Sequence, residues 1–169
     1  MSEHADAVAR TVWLNNGTLT GKTRLQKTVY FFEEFRCGFG FDFEYYHYGP
    51  YSEDLSDAAD DAILMGSLSA TPHQGSYGVN YVVFETKCAF QPDDKDVRRK
   101  EILSTLRKYD AIVVELAATA DFLEKNGYEA DPWAETQFRK ASKAVSERVA
   151  HAKELLASLR SLQPVIPTV

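Results

Sequence analysis

Between Phe41 and Leu64 the apolar pattern changes its period, and it does so across one dipeptide, Gly49-Pro50. Before it, "FDFEYYHY" (41–48) alternates. Phe41, Phe43, Tyr45 and His47 fall on one face, and Asp42, Glu44, Tyr46 and Tyr48 on the other, which predicts a strand. After it, Ser52 is placed to cap a helix, with Glu53 and Asp54 in the first turn, where the helix dipole favours negative charge. That helix is expected to run to about Met65 and to close at Gly66. A chain that passes from a two-residue to a 3.6-residue repeat over so short a turn holds helix and strand at a fixed angle, so an all-helical or all-strand fold is excluded.

The flanking segments fill in the order. A first helix is predicted from about Glu3 to Leu14, with Ala5, Val8, Val12 and Trp13 among its apolar positions, and "NNGT" stops it. A second follows the turn "TLTGKT", with Leu25, Val29, Phe32 and Phe35 at helical spacing, and "CGFG" ends it. After the third helix, "SLSAT" reads as a strand, "PHQGSYG" as a loop and "VNYVVFETK" as a second strand, together a hairpin. Beyond "QPDDKD", residues 94–108 and 110–125 read as two helices or as one long one. The last helix is expected from Trp133 to Leu162, with Phe138, Ala141, Val145, Ala152, Leu155, Leu159 and Leu162 at heptad places and Arg148 breaking the seam. The expected fold is α+β and mostly helical. A winged helix-turn-helix-like part at 1–91 (helix-helix-strand-helix-strand-strand) carries C-terminal helices at 92–169, packed on it as one compact unit.

Several function classes are weak here. The longest apolar runs fall short of the ~20 residues that cross a bilayer, and the N-terminus lacks a secretory layout, which points to a cytoplasmic protein. Cys37 and Cys88 are too few for a disulfide framework and are expected reduced and buried. "GTLTGKT" misses the phosphate-loop pattern, because Asn16 stands where the first glycine is required. His4, His47, His73 and His151 show no metal-ligand spacing; only His47, in the aromatic strand, is suggestively placed, and a partly buried, hydrogen-bonded histidine explains it. No nucleophile motif is present, and no cofactor or metal is implied.

The third helix is the informative element. On a helical wheel Glu53, Asp54, Asp57, Asp60 and Asp61 fall within an arc of about 120°, with Leu64 inside it. Leu55, Ala59, Ala62 and Ile63 fall opposite and are expected to pack inward. In a winged helix this element would enter a major groove, where five carboxylates repel phosphates. The loop "PHQGSYG" has no Lys or Arg either, and the net charge of −6 lies wholly within residues 1–90. The stretch Arg98, Arg99, Lys100, Arg107, Lys108 is the remaining place for nucleic acid; its alternative is a solvated face balanced by Asp93, Asp94 and Asp96. The expected binding residues are Tyr48, Tyr51, Glu53, Asp54, Asp57, Asp60, Asp61 and Leu64, facing a basic protein surface. A solvated acidic face without a partner carries equal weight on sequence grounds.

"GKTRLQKTVYFFEE", the aromatic strand running into "YYHYGPYSEDL", and "MGSL" together resemble the YwgA-type bacterial proteins. "VVELAATADFLEKNGY", "RKASKAV" and "AHAKELLASL" are similar to the C-terminal helices of that type. The group in turn resembles the Panacea, or SocA-like, antitoxin domain, from which this chain departs in having Tyr51 and Ser52 after Gly-Pro and in its C-terminal helices. The match rests on Leu25, Gln26, Lys27, Tyr48, Gly49, Pro50, Tyr51, Ser52 and Leu55, residues whose chemistry reads as helix packing, turn and cap. The resemblance implies a non-enzymatic protein-binding module, an antitoxin or an accessory of a toxin-antitoxin or defence locus, with a toxin as partner. The alternative from a different class is a winged-helix transcription regulator. The chain is expected as a monomer or homodimer, with the last helix covered within its own chain.

Overall fold

The computed structural model describes residues 3–46 and 49–162. His47 and Tyr48, both assigned to the aromatic strand, and the proline-bearing tail lie outside the described residues. The fold is α+β, with most of the chain helical and two small antiparallel sheets.

Helix α1 (Glu3–Leu14) buries Ala5, Val8, Ala9 and Val12 and is followed by a short strand β1 (Thr18–Thr20). Helix α2 (Lys22–Glu34) buries Leu25 to Phe32 continuously. Its exit is closed by Glu33, whose carboxylate accepts from the backbone N–H groups of Phe39, Gly40 and Phe41 at 2.8, 2.9 and 3.0 Å. A two-stranded hairpin, β2 (Glu44–Tyr46) and β3 (Gly49–Tyr51), leads to α3 (Glu53–Leu64). Ser52 caps α3 as expected, its hydroxyl accepting from Leu55 N at 3.2 Å.

Strands β4 (Ser69–Gln74) and β5 (Asn80–Glu85) form the expected hairpin, and β1 adds to its far side, giving the order β1-β5-β4. The loop is shorter than the sequence suggests. Residues 72–74 continue β4, in register with Asn80–Val82, and the reversal tightens to Gly75–Val79. Strands β1 and β3 fall where the sequence predicts turns. At three residues each they are too short for a period to show, and Pro50 is tolerated because its sheet has only two strands.

The C-terminal helices are α4 (Asp96–Leu106), α5 (Ala111–Lys125), α6 (Pro132–Arg139) and α7 (Ser146–Arg160). Residues 94–125 are thus two helices, parted at Asp110, whose carboxylate caps Val113 N at 2.9 Å. Helix α5 is buried almost all round and packs against α2, β3, α6 and α7. One hydrophobic cluster runs from α1 through α5 to α7.

The expected single helix over 133–162 is broken at residues 140–145. The break carries Lys140 and Lys143 to Glu115 of α5, with Lys143 Nζ 3.1 Å from Oε2. A buried carboxylate left without countercharge costs several kcal/mol, more than the propensity gained by continuing the helix. The heptad reading fails accordingly at Phe138 and Val145, which are 80% and 51% exposed. It holds at Ala152, Leu155 and Leu159, which are buried within the chain together with Val149 and Leu156. Leu155→Ala is therefore expected to lower unfolding stability by about 2–5 kcal/mol. Phe138→Ala should change it by less than about 0.5 kcal/mol. Urea unfolding of both variants checks the contrast, which an unbroken heptad helix would not produce.

Candidate functional site

Two side chains of α2 fix how α3 is presented. Gln26, buried, makes a reciprocal pair with the backbone of Ser52. Its amide donates to Ser52 O and its oxygen accepts from Ser52 N, both at 2.9 Å. Lys27, buried beside it, donates to Pro50 O at 2.7 Å. Leu25 and Leu55 lie in the core. Gly49 has φ +89°, and a Cβ there would collide with the Thr119 hydroxyl of α5. Gln26, Lys27, Gly49, Pro50 and Ser52, described residues that carry the sequence resemblance, thus form one clamp, which bonds α2 to the chain entering α3 and presses the hairpin onto α5.

The clamp turns one face of α3 to solvent. Glu53, Asp54, Asp57, Asp60 and Asp61 are all exposed, and among the described residues none makes an ion pair or hydrogen bond. Leu64, inside the arc, is 86% exposed. The buried stripe is Leu55, Ala58, Ala59 and Ala62. Ile63, expected inward, is instead 38% exposed, because the stripe is rotated toward Ala58 and leaves Ile63 on the flank.

Tyr51 is half-buried at the head of α3, its ring 5.4 Å from that of Tyr46. Around these rings Asp42, Glu44, Glu53 and Asp54 line a cleft of about 390 Å³. Tyr51 also ends a second groove, of about 680 Å³, between α3, the start of α2 and the face of β4 and β5. The structure therefore brings together all the expected binding residues it describes. Tyr48 lies outside the described residues. Sequence reasoning missed Asp42, Glu44 and Tyr46, whose alternation with Phe43 and Tyr45 placed them on the outer face of the strand and so on the same side as the acidic turn.

The basic stretch is not a continuous surface. Arg98 and Arg99 are buried. Arg99 bonds Asp93 and Asp96 at 2.9 Å and donates to Cys37 O at 2.7 Å, while Arg10 bonds Asp96 at 2.7 Å. Lys100, Arg107 and Lys108 are exposed. Asp96 thus serves interior pairing, while Asp93, itself exposed, pairs with the buried Arg99. Cys37 is buried, with burial pushing its thiol up to about 12. Cys88, expected buried, is half-exposed, and both thiols are free.

Burial pushes the Lys27 amine down from 10.5 to about 7; Glu115 opposes this, and Lys140 and Lys143 add to it. No family model and no solved structure matches the chain. It is similar to the "Uncharacterized protein YwgA" of Bacillus subtilis (strain 168), 26% identical over 130 residues, which span 66% of this chain and 77% of that protein. This distant relationship supports the YwgA-type resemblance. Among the described residues no helix is long and apolar enough to cross a membrane.

The Lys27 shift has a stability consequence. The unfolded chain keeps this proton to about pH 10, whereas the folded chain releases it near 7. Between those values the unfolded state binds more protons, so Lys27 makes stability rise with pH; below about 7 its penalty is fully present. Urea unfolding of wild type and Lys27→Met from pH 6.5 to 9.5 should show a shallower rise in the variant. Equal slopes would mean that Lys27 is charged in the folded state.

Proposed function

We propose that the protein is a non-enzymatic binding module whose α3 face receives a basic surface of another protein. The observation that carries this reading is the grouping of five exposed carboxylates on one face of α3 with no basic residue paired with them among the described residues. Asp93, Asp96, Glu115, Asp121 and Glu135 are all engaged by Arg or Lys. The five on α3 are exposed together without countercharge among the described residues. Glu53–Asp57 and Asp57–Asp61 are like charges at i,i+4, each unfavourable by about 0.2–0.5 kcal/mol. Asp61 also stands in the last turn, where the dipole disfavours a negative charge and no basic residue balances it. An arrangement that lowers the stability of its own helix is accounted for by binding. Charges of one sign speed association with a partner of the other, while Leu64 and Tyr51 supply apolar contact.

The fold reading behind this is a winged helix used as a protein-binding scaffold. It is supported by the order α1-β1-α2-α3-β4-β5 and by the sheet order β1-β5-β4, with the β2–β3 hairpin inserted between α2 and α3. The same order favours the second reading, a DNA-binding regulator, since α3 then takes the recognition position. The carboxylates on α3 and the turn at Ser76–Gly78, where Tyr77 stands fully exposed among uncharged residues, weigh against it. The resemblance to antitoxin domains makes a toxin the partner to look for, and a cytoplasmic toxin-antitoxin or defence locus the setting.

Affinity capture from the native cell, then kinetics on the recovered protein, tests this. Asp57→Lys and Asp61→Lys should slow association and weaken its salt dependence, and Leu64→Ala should mainly speed dissociation. Asp61→Lys should also stabilise the free protein by about 0.3–1 kcal/mol. Unaltered rates would reduce the acidic arc to a solvated face. In anisotropy at ~50 mM salt, where phosphate contacts are strongest, DNA should bind no tighter than tens of micromolar; a submicromolar, sequence-dependent complex would favour the regulator.

A further inference from the structure

We propose that the groove between α3 and the face of β4 and β5 takes the apolar side of a basic amphipathic helix from the partner protein. This rests on the reading of α3 given above and names the partner's form. The groove, about 680 Å³, is of a size that receives side chains, and its lining sets apolar side chains among polar ones. Leu25 and Phe84 form its buried floor, while Ile63 and Val79 stand at its margin, 38% and 65% exposed. Burying apolar margins of this kind is favourable.

Three observations define what fits. The ionisable groups on the walls are Asp60 from α3, Lys22 from the first turn of α2, and the buried Lys27. The Lys27 amine already donates to Pro50 O. Asp60 and Lys22 are exposed and unpaired among the described residues. Asp60 also belongs to the acidic arc, so the side of the groove that opens onto α3 is anionic and calls for Lys or Arg on the occupant. Lys22, on the α2 wall, suits a carboxylate or the negative C-terminal end of a helix. Finally, β4, the edge strand on the side away from β1, contains Pro72, which lacks the N–H that an added strand would need. Side chains from a helix, and not main-chain pairing from a strand, are therefore the mode of contact.

The test uses the full chain and three labelled helical peptides of about 16 residues, roughly 24 Å long. One has Leu at i, i+3, i+4 and i+7 with Lys on the flanks. The second replaces Lys by Glu, and the third replaces Leu by Ser. The first should bind in fluorescence anisotropy, with affinity falling as salt rises, and the other two should not. Ile63→Ser and Val79→Ser, at exposed positions, should keep the circular dichroism spectrum and weaken the first peptide about tenfold or more. If Asp57→Lys and Asp61→Lys weaken it but the groove substitutions do not, the groove proposal is wrong while the acidic face stands. If the groove substitutions weaken it while the acidic reversals do not and the Glu peptide binds equally well, the charge reading fails and with it the basic helix. Absence of binding by the first peptide also overturns the proposal.

Discussion

The presentation of α3 depends on two hydrogen bonds from one amide. Gln26 supplies a donor and an acceptor to the same residue, Ser52, at the point where the chain turns into the helix. Because the contact is buried, water cannot replace either bond, and losing the side chain would leave the Ser52 N–H unmade, at about 1–3 kcal/mol, while Ser52 O keeps only its bond from Ser56 N. Lys27 and Gly49 extend the constraint to Pro50 and to α5. The outer face of α3 is therefore set from beneath by polar contacts of defined geometry, and its own surface residues are free to vary without moving it.

Helix α5 shows the complementary use of charge. It is buried nearly all round, yet it carries Glu115 and Asp121. Glu115 is met by Lys140 and Lys143. Asp121 accepts from the Tyr30 hydroxyl at 2.6 Å and pairs with Arg160 at 3.0 Å. These contacts reach from α2 to α7 and orient the C-terminal helices where apolar packing alone would allow them to slide. Truncating one partner of such a pair is far more damaging than its net contribution suggests, since the other is left buried and charged.

How much of this could be read from the sequence follows from what each feature depends on. The bounds of α1 and α3, the Ser52 cap, the β4–β5 hairpin and the exposure of Leu64 are local matters of period and turn chemistry, and they were legible. The three-residue strands β1 and β3 are defined by partners distant in sequence, with Thr18 opposite Glu85, and carry no period of their own. The break at 140–145 answers a carboxylate on another helix, so local propensity misleads there. Gln26 and Lys27 read in the sequence as helix-packing residues, but their partners become visible only when α2 meets β3 and the start of α3. The acidic arc was complete in the sequence; the tyrosine cleft beside it was not, because it joins two elements across a turn.

Between Arg36 and Lys87 the chain contains no lysine or arginine. That interval holds both hairpins and all of α3. The whole displayed region is thus invisible to chemistry that begins at an amine. It offers no lysine for acetylation or ubiquitin attachment, and trypsin releases it as one long fragment. Amine-directed cross-linkers would find no anchor on α3 or either hairpin, and only Lys22 at the groove wall would report a contact there. Carboxyl-directed coupling, or cleavage beside aspartate and aromatic residues, is the chemistry that can map this surface, and in the cell any control over it must act on the partner or on hydroxyl groups.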